Sequence, residues 1–284
     1  MEQSKIRVFR YDPTQEEKPR YDHYEIPYHP DQTILDSLKI IQKDHDRSVS
    51  FRGECGYQMC GTCGVRVNGR PVLACNTLMG REMALDPLLD IPVIKDLVVD
   101  RRWIYDRVHP AKPYLARKNP FGEQLEPIAR DTYDLHVTAA SCIECYVCTA
   151  GCPLSDQRTD PASALKISRV ALDQRDGWNR MDALADAVSK CLVCKTCTGL
   201  CPLDVRVDRI VLRGRQGLVE EKGLPLYKKM ALWLLQYPTL LWMVVRIGYP
   251  FRGIVFSRDR GEFPVLAPRP FALNNERSGN GNIS

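Results

Sequence analysis

Cys142-Ile143-Glu144-Cys145-Tyr146-Val147-Cys148-Thr149-Ala150-Gly151-Cys152-Pro153 is answered 49 residues later by Cys191-Leu192-Val193-Cys194-Lys195-Thr196-Cys197-Thr198-Gly199-Leu200-Cys201-Pro202. The two stretches share all four cysteines, the threonine at 149 and 198, and the closing proline. A duplicated unit is the simplest account. The spacing C-x2-C-x2-C-x3-C-P is that of cubane-binding runs in two-cluster ferredoxins, where three cysteines of a run hold one cluster and the fourth holds the other. Cys142, Cys145, Cys148 and Cys201 are therefore expected on one [4Fe–4S] cluster, and Cys191, Cys194, Cys197 and Cys152 on a second. Zinc held by four cysteines is the competing reading, but it would supply structure without redox chemistry and leave the ferredoxin spacing unexplained.

A third quartet lies upstream, Cys55, Cys60, Cys63 and Cys75, spaced C-x4-C-x2-C-x11-C. Its first three positions match the plant-type arrangement for a [2Fe–2S] cluster. The glycines at 53, 56, 61 and 64 are expected to let the backbone approach the sulfides, with Cys75 arriving from a separate strand. All twelve cysteines belong to these quartets. Met1 to Arg10 is charged and lacks an apolar signal core, and the twin arginines Arg101 and Arg102 lie far from the start. The expectation is a reducing, cytoplasmic-side compartment, which favours metal sites over disulfides.

Outward from the cysteines, Lys5–Tyr11 and Asp22–Tyr28 alternate polar and apolar residues around a turn-rich stretch and predict a β-hairpin. Thr33–Gln42 spaces Ile34, Leu35, Leu38 and Ile41 as a helix does, with Asp31 as its expected cap. Gly64–Val67 and Val72–Ala74 predict short strands around Asn68-Gly69. Prolines at 87, 92, 110, 113, 120 and 127 suggest a connecting region with short helices. From Asp131 onward the pattern is helical, notably over Ala162–Asp173, Met181–Cys191 and Val205–Glu221. The fold class expected is α+β: a plant-type ferredoxin (β-grasp) domain over 1–110, an all-α two-cluster ferredoxin domain over 111–223, and a docking tail over 224–284 with a disordered end.

The chain of 284 residues suits about two domains at roughly 150 residues each. With 44% hydrophobic and 26% charged residues it reads as globular, and a net charge of +5 is too mild to argue for nucleic acid. No phosphate-binding glycine loop, H-E-x-x-H or G-x-S-x-G is present, so flavin and nucleotide are not expected on this chain, nor a catalytic residue. His23, His29, His45, His109 and His136 are scattered and read as structural. Three clusters without a substrate site mean electron transfer between a partner that does the chemistry and an acceptor.

The order of plant-type ferredoxin domain, proline-rich connection and helical two-cluster domain resembles the iron–sulfur subunit of succinate dehydrogenase and fumarate reductase, over roughly residues 5 to 220. Ile91–Asp100, Asp160–Leu165 and Arg175-Asp176 extend the resemblance beyond the cysteines. It implies a separate FAD-containing flavoprotein subunit that oxidises succinate or reduces fumarate, a membrane-anchor or other acceptor subunit, quinone as acceptor, and a peripheral position on the cytoplasmic face of the membrane. Family members usually carry [3Fe–4S] at the third site, where the middle cysteine of the run is replaced. Here Cys194 is present, so [4Fe–4S] is expected, which favours fumarate reduction or a low-potential menaquinone. Cys152-Pro153 is followed by Leu154-Ser155-Asp156 rather than by the tryptophans that succinate dehydrogenases place beside quinone.

From Met230 to Gly248, 14 of 19 residues are apolar, but Gln236, Pro238 and Arg246 interrupt the run. A spanning helix needs about 20 largely uncharged residues. Trp233, Tyr237 and Trp242 with Lys228, Lys229 and Arg246 suit an interfacial or partner-docking helix pair broken at Pro238, with packing onto the protein's own core as the alternative. The tail is similar to segments after the clusters in iron–sulfur subunits of glycolate and lactate oxidases. Two alternatives follow: the iron–sulfur subunit of another flavoprotein oxidoreductase, acting on a 2-hydroxy acid or a thiol–disulfide couple, and a freestanding multi-cluster ferredoxin. Arg206, Arg209, Arg213 and Arg215 form a basic stretch read as a solvated face or as an attractor for anionic headgroups or an acidic subunit.

Overall fold

The computed structural model describes residues 2–118, 129–155, 160–188, 190–224 and 226–246, the last without 238, 241, 244 and 245. The expected breaker Pro238 and the polar end of the chain lie outside the described residues. Residues Met1–Glu221 form one compact unit and Lys222–Ser284 a second.

The first unit begins with β1 (Gln3–Arg10) and β2 (Arg20–Pro27), paired antiparallel in the expected hairpin. β1 alternates exposed and buried residues, as a strand with one face on a core must. Helix α1 (Ile34–Ile40) follows, extended by a π-type turn over Ile41–His45. Its cap is Thr33 rather than Asp31: the Thr33 hydroxyl accepts from the Asp36 N–H while the Asp36 carboxylate accepts from the Thr33 N–H. This reciprocal box satisfies two end donors, and Asp31 stands too far upstream to do so.

Strands β3 (Gly64–Val67) and β4 (Arg70–Leu73) flank Asn68 and Gly69, both at positive φ, as a tight hairpin of this twist requires. Strand β5 (Glu82–Asp86), not anticipated from sequence, completes a sheet of order β2-β1-β5-β3-β4, running parallel to β1 and antiparallel to β3. α1 lays Ile34, Leu35 and Leu38 against a core of Ile6, Val8, Ile26, Val65 and Leu85.

The described part of the proline-rich connection, up to residue 118, is structured. A small ribbon, β6 (Val93–Lys95) and β7 (Val98–Val99), leads into α2 (Arg102–Val108). Leu88, Ile91, Val99, Ile104, Val108 and Ala111 pack into the core of the helical half. That half comprises α3 (Arg130–Ala140), α4 (Val147–Ala150), α5 (Pro161–Ala171), α6 (Met181–Val188), α7 (Thr196–Leu200) and α8 (Val207–Lys222). The two cores meet, because Cys145 and Val147 belong to the core beneath the sheet. The fold is α+β, with a sheet domain followed by a helical ferredoxin domain.

The second unit is described chiefly by α9 (Leu226–Leu235). Among the described residues no helix is long and apolar enough to cross a membrane.

Candidate iron–sulfur sites

The loop between α1 and β3 carries Cys55, Cys60 and Cys63, and the turn after β4 carries Cys75. The N–H groups of Met59 and Cys60 donate to the Cys55 sulfur at 3.3 and 3.4 Å. The Ala74 N–H donates to the Cys63 carbonyl at 3.0 Å, which brings Cys75 beside Cys63. Burial pushes the Cys63 thiol up to about 12. Burial works the same way on Cys60, but the Thr62 hydroxyl and loop N–H groups outweigh it and bring that thiol down to about 7. Loop N–H groups aimed at sulfur stabilise thiolate and, with it, a metal–sulfur core.

Two glycines of this loop make close contacts that the sequence does not anticipate. A Cβ on Gly61, at φ +65°, would stand 2.2 Å from the Ile143 carbonyl oxygen, and one on Gly64 would stand 2.9 Å from the Cys145 carbonyl oxygen. These two residues bring the loop against the backbone of the next cysteine run. Gly56 has no neighbouring heavy atom within 4 Å of such a Cβ.

In the helical half, one pocket is lined by Cys142, Cys145, Cys148 and Cys201. A second is lined by Cys152, Cys191, Cys194 and Cys197. Each therefore gathers three cysteines of one run and the last cysteine of the other. The exchange follows from local structure: the short helices α4 and α7 pack on each other, and each run's final cysteine leaves the end of its helix toward the opposite cavity. Among the described residues no three His, Cys, Asp or Glu side chains converge on a single-ion site; the thiols of each group line a shared pocket instead. Burial raises Cys142 and Cys152, takes Cys145 and Cys197 to about 11, and lifts Cys148 well above the ordinary thiol value. Cys194 is exposed, and the Thr196 hydroxyl lowers its thiol. Four thiols per site, most of them buried or partly buried and with N–H donors nearby, fit an iron–sulfur core.

The duplication extends to geometry. Glu144 and Val193 have φ of +56° and +54°, and Tyr146 and Lys195 of +63° and +64°. The Glu144 and Val193 N–H groups donate to the sulfurs of Cys142 and Cys191 at 3.4 and 3.3 Å. Val193 is β-branched, so the loop imposes this backbone at a cost of about 1–3 kcal/mol. The Thr149 hydroxyl donates to Asp160, which caps α5 through the Ala162 and Ser163 N–H groups, and the Thr198 hydroxyl donates to Asp208 at 3.1 Å. Arg169 donates to the carbonyls of Ala139 and Cys142 at 3.0 and 2.8 Å, and Arg215 donates to the equivalent carbonyls of Val188 and Cys191.

Sequence reading found the threonines but missed these arginines. Arg169 lies 27 residues after Cys142 and Arg215 only 24 after Cys191, so a fixed-offset repeat does not align them. The basic stretch is correspondingly broken up: Arg206 pairs with Asp208 at 3.1 Å, Arg213 with Glu220 at 3.2 Å, and Arg215 points into the fold.

A family model described as a 2Fe-2S iron-sulfur cluster binding domain matches residues 5–106, and one described as a 4Fe-4S dicluster domain matches residues 138–205. The chain is 32% identical over 220 residues to the fumarate reductase iron-sulfur subunit of Mycobacterium tuberculosis, covering 72% of this chain and 88% of the relative. It is also 32% identical over 206 residues to one of the subunits of the fumarate reductase (CoM/CoB) of Methanothermobacter marburgensis, covering 71% of this chain but 41% of that relative. An uncharacterized iron-sulfur protein of Methanocaldococcus jannaschii is likewise matched over only 44% of its length. The chain thus spans less than half of these two methanogen relatives. A chain of the Mycobacterium smegmatis Sdh1 complex in the apo form shares the fold, with a TM-score of 0.69 at 22% identity over 79% of this chain and 98% of that one. The sheet domain, the two exchanged cysteine runs and the near full-length match to the mycobacterial relative lead to one conclusion: the chain belongs to the family of succinate dehydrogenase and fumarate reductase iron–sulfur subunits.

Proposed function

We propose that this chain relays electrons between FAD in a partner flavoprotein subunit and quinone or another acceptor, as the iron–sulfur subunit of a succinate dehydrogenase or fumarate reductase. Bound clusters, one [2Fe–2S] and two [4Fe–4S], would supply one-electron redox centres. Cys55, Cys60, Cys63 and Cys75 would hold the first, Cys142, Cys145, Cys148 and Cys201 the second, and Cys152, Cys191, Cys194 and Cys197 the third. The dicarboxylate chemistry belongs to the partner, and the complex sits peripherally at the cytoplasmic face, next to an anchor or acceptor subunit.

The observation that carries this reading is the close approach of Gly61 and Gly64 to the carbonyls of Ile143 and Cys145. It brings the first cysteine loop against the second run, while the exchanged cysteines Cys152 and Cys201 tie the second run to the third. This chain's residues would thereby hold three thiol sites in sequence within one compact unit. The reading predicts that gentle purification from native membranes yields a stoichiometric FAD subunit and succinate- or fumarate-linked activity. A complex with no flavoprotein and neither activity would overturn it. Cys194→Ser should remove the third cluster or convert it to [3Fe–4S], with the other two spectra unchanged.

The relative named as a CoM/CoB fumarate reductase favours a second reading, in which the partner oxidoreductase couples this wiring to a thiol–disulfide couple. Substrate screening of the purified complex separates the two.

A further inference from the structure

Residues 222–258 contain six basic residues, among them Lys228, Lys229 and Arg246, and no aspartate or glutamate. Of the chain's 40 basic and 35 acidic residues, the remainder therefore nets −1, so the molecule's net positive charge resides in this one segment. The same segment is rich in aromatic residues, including Tyr227, Trp233, Tyr237 and Trp242. Both family models end by residue 205, so the segment lies outside the electron-carrying domains.

Helix α9 presents this composition on a defined surface. At helical periodicity Lys228, Lys229 and Gln236 share one stripe with the exposed Leu232, while Leu226, Tyr227, Met230, Trp233 and Leu235 spread over the rest. In an ordinary surface helix the apolar side would be buried, yet Leu226 is 74% exposed, Tyr227 67%, Met230 61%, Trp233 53% and Leu235 60%. Trp233 stacks near Tyr237 with centroids 5.2 Å apart, and the Arg246 guanidinium lies 4.7 Å over the Trp242 ring. Amphipathic aromatics beside cations suit the level of lipid headgroups. A ten-residue helix is half the length of a bilayer span, so it would lie along the surface rather than cross it.

We infer that α9 is a lipid-binding element: its apolar side enters the acyl boundary of an anionic phospholipid bilayer, and Lys228 and Lys229 meet the headgroup phosphates. Two weak signals, apolar burial and charge attraction, act together, as stable but reversible surface binding requires. The anchor is the chain's own and needs neither the flavoprotein nor a membrane subunit, so it goes beyond electron transfer.

Flotation of the full cluster-loaded chain with vesicles tests this. Vesicles of phosphatidylcholine with about a third phosphatidylglycerol should retain the chain and phosphatidylcholine alone should not, because the cytoplasmic-type surface potential comes from anionic lipid. Binding should fall steeply at about 0.5 M salt, where screening shortens to a few ångströms. Lys228→Gln with Lys229→Gln should weaken binding about thirtyfold, about 1 kcal/mol for each lysine. Trp233→Ser should weaken it further, with iron content and visible absorption unchanged in both variants. Equal binding to neutral and anionic vesicles, binding to neither, or full binding by the double lysine variant would overturn the inference. Capture of the chain by a purified anchor subunit without vesicle binding would reassign α9 to a protein partner. The assay contains no flavoprotein and no substrate, so its failure leaves the electron-relay reading intact.

Discussion

Arg10 ends β1 at an inward-facing position where the alternation demands an apolar residue, yet it is 4% exposed and holds five partners. Its guanidinium donates to Asp22 at 2.8 Å, Asp46 at 2.5 Å, Asp96 at 3.2 Å, Tyr24 at 3.0 Å and Ser48 at 2.7 Å. Asp96 in turn accepts from the Tyr11 and Ser50 N–H groups at 3.0 and 2.9 Å, so one cation ties the hairpin, the loop after α1 and the β6–β7 ribbon together. Removing the cation strands a buried carboxylate, and Arg10→Met should cost about 3–5 kcal/mol in urea unfolding. The Ser48 hydroxyl and backbone, with Arg10 and Tyr24, hold the Asp46 carboxyl far below its ordinary value of 3.8. A depressed folded-state value stabilises the fold above the unfolded value and is lost as the pH falls, so the wild type should lose stability below about pH 4 and the variant less steeply. Unfolding midpoints across that range check the sign.

At the scale of elements, the duplicated cysteine unit includes a reach-back arginine from the following helix. Arg169→Ala removes the side-chain donors to the Ala139 and Cys142 carbonyls and the pairing with Glu144, and should cost about 1–3 kcal/mol. It should also loosen the site that uses Cys142, while Arg215→Ala loosens the site that uses Cys191. Iron content and low-temperature EPR of the two variants should therefore report losses at different clusters. Gly61 tests the junction between the sheet domain and the first run. Gly61→Ala adds a left-handed backbone penalty of about 1–2 kcal/mol and a carbonyl clash, whereas Gly56→Ala, at φ +77° in open space, adds the backbone penalty alone. Thermal unfolding should rank Gly61→Ala as clearly the more damaging, with slower reduction of the downstream clusters in single-turnover mixing.

For the whole molecule, the chemistry of the thiols links folding to metal. Burial raises Cys63 to about 12 and Cys145 and Cys197 to about 11, so the metal-free chain carries neutral thiols in its cores. Cluster assembly must expel those protons, and iron–sulfur loading should strengthen as the pH rises between about 6 and 9, with proton release measurable in weakly buffered solution. Chelation of iron should lower the unfolding temperature of residues 1–221 as one transition, because the cysteine runs contribute to both cores.

The sequence by itself determined the presence and order of a 2Fe-2S and a 4Fe-4S binding domain, the hairpin and the long helices. Cysteine spacing and hydrophobic period act over a few residues, and a ligand run such as Cys142–Pro153 must be contiguous to close a small loop. Only the tertiary structure decided the rest. The placement of β5 beside β1, the Thr33 cap in place of Asp31, and the docking of Gly61 on Ile143 all depend on partners distant in the chain. So do the matching grips of Arg169 and Arg215, which are set by the pitch and length of intervening helices and loops rather than by a fixed count along the sequence. The proline-rich connection shows the same division: its composition reads as a linker, while Ile104 and Val108 have no side to turn to except the helical core that forms around them.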